Sequence, residues 1–174
     1  MAHVIVADGN EGRRSLLANT LEREGFQVMR ASTLRQAVGT TVATVPEVLL
    51  LEEAWPDGDP HDAAQSISSN PAVGTRTRIV LLSRDTSQEA MVSAARAGVA
   101  EVLGKPIDMA RLLAQVHIEL SRRSVDVVDR CEHRELVAAR SQRDGGDGLL
   151  VKGGHRAAVQ ALHPRQHTRT LDVA

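Results

Sequence analysis

The segment Pro46–Pro56, PEVLLLEEAWP, decides the fold of this chain. Val48–Leu51 is an uninterrupted apolar run, and the flanking prolines favour a short extended segment over a helix. Such a run is typical of a strand that is buried on both faces of a sheet. Because it leads directly into Glu52 and Glu53, we expect the buried strand to end at a polar site on the surface.

Other apolar segments alternate with helical patterns along the chain. Asn10, Thr33 and Thr86 are placed to start helices, the last two with Gln or Glu three residues later, and Gly25 and Gly98 are placed to end them. The other predicted strands are Val4–Ala7, Phe26–Met29, Arg78–Leu82 and Val99–Leu103. The predicted helices include a weaker one at His61–Ser69 and a final one with the apolar face Met109, Leu112, Leu113, Val116 and Leu120.

Strands that alternate with helices predict an α/β fold, a doubly wound five-stranded parallel sheet of order 2-1-3-4-5 with helices on both faces. Sites in such sheets form beyond the carboxyl ends of the strands. By this rule, Asp8, Glu52, Ser83 and Lys105 are predicted to lie at one edge of the sheet. Lys105 stands out because 19 of the 21 basic residues are arginine, which favours a local requirement for a compact charge.

The composition excludes several classes of protein. Apolar residues make up 42% of the chain, but Phe26 and Trp55 are its only aromatic residues, which disfavours stacking on nucleic-acid bases. A net charge of −1 gives no field to attract polyanions or membranes. The single cysteine, the lack of signal-peptide features and the lack of a long apolar segment are typical of a cytoplasmic protein.

Four segments together resemble the receiver domain of two-component response regulators. They are HVIVADGN, PEVLLLE, RIVLLSRD and AGVAEVLGKPID. The resemblance covers residues 3–121 and implies a receiver domain at residues 1–122, with the flavodoxin-like receiver fold and a role in phosphorelay signal transduction. It implies a signalling module rather than an enzyme, with no catalytic residues and no organic cofactor. Its partner would be a histidine kinase or a downstream signalling protein.

The resemblance also assigns roles to individual residues. In receivers, two acids after strand 1 hold a divalent cation, and here Ala7 and Asp8 match them. Glu52 stands where receivers have the aspartate that accepts the phosphoryl group. In receivers, a hydroxyl after strand 4 follows the phosphate, a lysine after strand 5 contacts it, and an aromatic residue on strand 5 reports phosphorylation. Ser83, Lys105 and Val102 match these three positions in turn.

The changes at Ala7 and Glu52 alter the expected chemistry. Without an acid at Ala7, Asp8 and Glu52 would hold Mg²⁺ only weakly. The Glu52 carboxylate is one methylene longer than aspartate, and phosphoryl transfer depends on positioning, so we expect weak or no phosphorylation. Our hypothesis is an ion pair between Glu52 and Lys105 that fixes one conformation, as in an atypical receiver or pseudo-receiver. The family also predicts a cis peptide before Pro106.

Alternatives stay open at individual positions. Asp8 is also suited to helix capping beside Asn10, and Ser83 to a simple turn hydrogen bond. Glu53 is expected to be solvated. Trp55 is expected to pack in the loop after strand 3 rather than to serve as a binding platform.

Residues 123–174 are predicted to form a helical extension and a basic, mostly disordered tail. Val116, Leu120, Val127 and Cys131 keep near-heptad spacing, which suits a short coiled-coil extension and a homodimer through the last helix. The alternative is an exposed frayed helix, because the Arg122-Arg123 pair and the acids Asp126, Asp129 and Glu132 oppose such packing.

Two other functions remain as alternatives. One is a DNA-associated transcriptional regulator that uses the basic tail, although the tail has no clear recognition helix and nucleic-acid binding is not expected. The other is a small flavin-binding protein, which the carboxylates in the turn after strand 1 disfavour.

Overall fold

The computed structural model describes residues 2–122, which form a parallel sheet with helices on both faces. The strands are β1 (His3–Ala7), β2 (Gln27–Ala31), β3 (Val48–Glu52), β4 (Arg78–Ser83) and β5 (Glu101–Gly104). The helices are α1 (Glu11–Arg23), α2 (Leu34–Thr44), α3 (Pro60–Ser68) and α4 (Gln88–Arg96), with α5 at residues 109–122. The strand order is β2-β1-β3-β4-β5 and all pairs are parallel, which confirms the predicted topology.

Strand β3 is buried on both faces, as its apolar run predicts. Each residue of Val48–Leu51 is at most 1% exposed. Because successive side chains of a strand point to opposite faces, Leu49 and Leu51 pack with α2, α3 and α4, whereas Val48 and Leu50 pack with α1 and α5. Full burial of one leucine contributes about 1.5–3 kcal/mol, so β3 anchors both layers of the core.

Local capping signals fix the ends of the first two helices. The side chain of Asn10 accepts a hydrogen bond of 2.9 Å from the backbone N–H of Arg13, and Thr33 accepts one of 3.1 Å from that of Gln36. Gly25 follows α1 with φ at 88°, a left-handed conformation that glycine adopts without strain. These predicted caps are confirmed.

Several predicted boundaries are wrong, among them those of β2, which is Gln27–Ala31 rather than Phe26–Met29, of α4 and of β5. Helix α4 is capped by Ser87 rather than Thr86, whose methyl group lies 3.0 Å from the position that a Cβ on Gly104 would take. Thr86 therefore packs against β5 while its neighbour makes the cap. Strand β5 begins at Glu101 rather than Val99, because Glu101 is the first residue that pairs with β4 at the edge of the sheet.

The predicted helical extension, the disordered tail and the dimer positions Val127 and Cys131 lie outside the described residues. In the part of the chain that the structure describes, none of the helices combines the length and apolarity that a membrane span needs.

Candidate functional site

The carboxyl ends of the strands carry the predicted site residues to one edge of the sheet. Asp8, Glu52 and Lys105 line a cleft of about 610 Å³, which is walled by apolar side chains of α1 and of the segment after β5. Ser83 and Val102 line a neighbouring cleft of about 580 Å³. The structure thus brings three of the predicted residues together directly and places the other two beside them.

Glu52 is the centre of this site. It is 1% exposed, and its Oε1 forms the expected ion pair with Nζ of Lys105. The same oxygen accepts a weaker hydrogen bond of 3.4 Å from the backbone N–H of Ala54. Its Oε2 is buried and accepts no hydrogen bond from residues 2–122, and the guanidinium of Arg13 lies 3.9 Å away. The charge of the buried carboxylate is therefore compensated by side chains of the chain itself.

Arg13 is a site residue that the sequence patterns do not reveal. Its Nε and Nη2 donate hydrogen bonds of 2.8 and 2.9 Å to the two carboxylate oxygens of Asp8, which is 1% exposed. The hydrogen bonds to Asp8 raise the pKa of Arg13 above its ordinary value. Burial acts in the opposite direction, and the charges of Asp8 and Glu52 add to the increase. Asp8 also accepts a 2.7 Å bond from the backbone N–H of Asn10, and Asn10 rather than Asp8 caps α1.

The donor set does not fit a resident magnesium ion. Mg²⁺ needs oxygen ligands in near-octahedral geometry. Both oxygens of Asp8 already accept hydrogen bonds, and one oxygen of Glu52 is held by Lys105, which leaves Glu52 Oε2. The guanidinium of Arg13 and the ammonium of Lys105 already balance the charges of these two carboxylates. Nor does any group of three or more His, Cys, Asp or Glu side chains within residues 2–122 have the placement to hold a metal ion.

Glu53 contradicts the expectation that it is solvated. Its side chain is 25% exposed, and its Oε2 accepts a hydrogen bond of 2.5 Å from the hydroxyl of Ser83. The backbone N–H of Arg84 lies 2.9 Å from both of its oxygens, and Nζ of Lys105 lies 3.4 Å from Oε1. Partial burial raises the pKa of Glu53, but the bonds from Ser83 and Arg84 and the charge of Lys105 lower it more, to below its ordinary value of 4.5.

The lowered pKa of Glu53 predicts a pH dependence of stability. Because the folded pKa lies below the unfolded one, the contribution of Glu53 is fully present above about pH 4.5 and is lost as the pH falls through the folded pKa. The stability difference between the natural protein and Glu53→Gln is therefore expected to shrink on acidification. Urea denaturation at several pH values measures it, with the exposed Glu89→Gln as the control; a difference that grows on acidification would contradict the prediction.

The remaining predicted residues surround this network. Ser83 also accepts a turn hydrogen bond of 3.0 Å from the backbone N–H of Asp85, as the turn alternative predicts, and its switch role stays a prediction. Trp55 packs against the core and donates a 2.6 Å bond to the carbonyl of Glu52. Val102 is 7% exposed and contributes to the core. The peptide before Pro106 is cis, as expected.

Comparisons with known proteins agree on the family. The response regulator receiver domain model matches residues 4–117. The KDP operon transcriptional regulatory protein KdpE of Escherichia coli is 26% identical over 71% of this chain and 53% of its own length. The probable transcriptional regulatory protein y4xI of Sinorhizobium fredii is 33% identical over 59% of this chain and 44% of its own length. The chain therefore spans about half the length of these relatives.

Solved structures show the same fold. A two-component response regulator from Clostridium difficile matches with a TM-score of 0.64 and 24% identity, over 70% of this chain and 98% of its own. The chemotaxis protein CheY4 of Vibrio cholerae matches with a TM-score of 0.65 and 22% identity, over 69% and 99%. The family match and the strand order lead to one conclusion: this chain belongs to the response regulator receiver domain family of two-component signalling.

Proposed function

We propose that this chain is a receiver module that signals by protein contact, without phosphorylation of Glu52. The buried ion pair between Glu52 and Lys105 carries the proposal. Because the residue at the phosphoacceptor position is 1% exposed and already neutralised, its carboxylate is held in place rather than presented to a phosphodonor.

The chemistry of phosphoryl transfer supports this proposal. A carboxylate that forms an acyl phosphate must place one oxygen in line with the phosphorus, and a cation must neutralise the charge on the transferred group. Here one oxygen of Glu52 is bound to Lys105, and the other faces the guanidinium of Arg13. Since that guanidinium also engages Asp8, the cations at this site serve the carboxylates of the chain and not an incoming phosphate.

Exposed apolar side chains support a role in protein contact. Met91 and Val92 on α4 are 44% and 43% exposed, and Ile118 on α5 is 43% exposed. These helices precede and follow β5 in the chain. Apolar side chains at a surface suit a contact with another protein, and we infer that the face formed by α4, β5 and α5 binds a histidine kinase or a downstream signalling protein.

Intact-mass measurement tests the absence of phosphorylation. The full chain and its Glu52→Gln variant are incubated with a small-molecule phosphodonor and Mg²⁺, and a receiver with aspartate at this position serves as the positive control. We expect no adduct on the natural chain, whereas the control gains about 80 Da, the mass of one phosphoryl group. A stoichiometric adduct on the natural chain that disappears in Glu52→Gln would show that the proposal is wrong.

A further inference from the structure

Three hydrogen-bond donors from two strand ends converge on the Glu53 carboxylate. They are the hydroxyl of Ser83 at 2.5 Å, the backbone N–H of Arg84 at 2.9 Å and the ammonium of Lys105 at 3.4 Å. Ser83 ends β4, Arg84 follows it, and Lys105 follows β5, whereas Glu53 comes directly after β3. One side chain thus connects the ends of three strands.

The donors form a cradle suited to a small oxyanion. A hydroxyl, a backbone amide and an ammonium that point at one place make charge-assisted hydrogen bonds to carboxylate and phosphate oxygens. The Glu53 carboxylate fills this cradle with two oxygens, and Arg84 donates towards both of them. The lowered pKa of Glu53 agrees with an anionic occupant.

We propose that Glu53 is a tethered ligand of the cradle formed by Ser83 Oγ, Arg84 N and Lys105 Nζ, and that it holds the ends of β4 and β5 in one arrangement. The inference rests on the proposed function, because a permanent internal anion explains how the module keeps one conformation without phosphorylation. Lys105 connects the cradle with the ion pair of Glu52, since its ammonium contacts both Glu52 and Glu53.

A tethered ligand has a competitive advantage over a free one. A side chain next to its binding groups has an effective concentration in the millimolar range or above, so free anions compete poorly with it. Removal of the Glu53 carboxylate leaves three donors without their acceptor. A free oxyanion can then occupy the cradle, which makes the natural protein and the variant differ in a measurable way.

Inorganic phosphate is the probe, and the fluorescence of Trp55 reports its binding. Trp55 is the only tryptophan of the chain and lines the same cleft as Glu53 and Ser83. The full-length natural protein, Glu53→Ala and the exposed control Glu89→Ala are titrated at constant ionic strength. We expect a saturable response in Glu53→Ala, with an apparent affinity at least about tenfold higher than in the natural protein and in Glu89→Ala.

Two further variants keep the test decisive. Glu53→Ala/Ser83→Ala removes one donor and is expected to lose the response. Glu53→Gln keeps the side-chain volume and is expected to give the same order of affinities with a smaller difference, which serves if the alanine variant does not fold. As a second readout, the Arg84 amide is expected to exchange hydrogen about tenfold faster in Glu53→Ala and to slow again when phosphate is added.

The outcomes separate this inference from the proposed function. If the natural protein and the Glu53 variants respond alike, whether all of them saturate or none does, Glu53 is not a ligand of the cradle. Reversible phosphate binding leaves the intact mass of the protein unchanged. A covalent adduct at Glu52 would contradict the proposed function alone, whereas equal titrations would contradict the tethered ligand alone.

Discussion

Replacement of Glu119 by alanine is expected to lower the free energy of unfolding by about 3 kcal/mol, near the lower end of the range for a broken buried ion pair. Glu119 lies in α5 and is 0% exposed. It accepts hydrogen bonds of 2.9 Å from Nε of Arg78, 2.8 Å from the amide of Gln115 and 3.1 Å from Nη1 of Arg122. The variant leaves these donors unpaired around a cavity.

The exposure of its partners sets the size of this effect. Arg78 is 31% exposed and Arg122 is 55% exposed, so both can recover some hydration when the carboxylate is gone. Urea denaturation of the full chain measures the loss, with Arg122→Ala as the matched control, expected to cost under about 1 kcal/mol because Arg122 is exposed and Glu119 keeps its bonds to Arg78 and Gln115. If Glu119→Ala costs no more than this control, the bond to Arg78 does not fasten α5 to the start of β4.

The sequence predicts the fold well where local signals decide it. Val48–Leu51 is apolar at every position because β3 has helices on both faces, so the pattern alone predicts a strand in the interior of the sheet. Asn10 and Gly25 mark the ends of α1 because capping depends on residues within one helical turn. Such signals need no knowledge of distant contacts.

The predicted start of a helix is wrong where two neighbouring residues can both cap it and a contact with another element decides which of them does. Thr86 and Ser87 both have a hydroxyl that can cap α4. The packing of Thr86 against Gly104 leaves the cap to Ser87, and this contact is not visible in the local pattern. Glu101 is accepted at the start of β5 because an edge strand has one neighbour and a partly exposed side.

The candidate site shows the same division. Asp8, Glu52, Ser83 and Lys105 follow from one rule about the ends of parallel strands. The prediction that Glu53 is solvated is wrong because its acceptor role depends on Ser83, which is 30 positions away in the chain. A single strand end does not reveal such a partner.

Arg13 is hidden for a related reason. It stands in the first turn of α1, five positions after Asp8, where an arginine in an amphipathic pattern is normally solvated. Its side chain is 52% exposed, yet the guanidinium reaches back to a buried carboxylate. The spacing of Asp8 and Arg13, together with the missing acid at Ala7, is the sequence signal for a cation that the chain itself supplies.

Replacement of Lys105 by methionine is expected to lower the free energy of unfolding by about 3–5 kcal/mol, because it removes the cation that is bonded to a buried carboxylate. Methionine keeps most of the apolar length of lysine, so the loss reports the charge rather than the volume. Glu52 is 1% exposed, and Glu53 loses a contact of 3.4 Å at the same time. Urea denaturation at neutral pH measures the effect.

A second substitution separates the ion pair from a general loss of packing. Lys105→Met/Glu52→Gln removes the buried charge and is expected to be about 2 kcal/mol more stable than Lys105→Met alone, since residues in contact do not act additively. Arg84→Met, which removes an exposed guanidinium from the same cleft, is expected to change stability by under about 0.5 kcal/mol. If the double variant is no more stable than Lys105→Met, the carboxylate of Glu52 gains little from Lys105. In that case the fixed charge at the phosphoacceptor position would have to be held by Arg13, the other cation within 4 Å of it among the described residues.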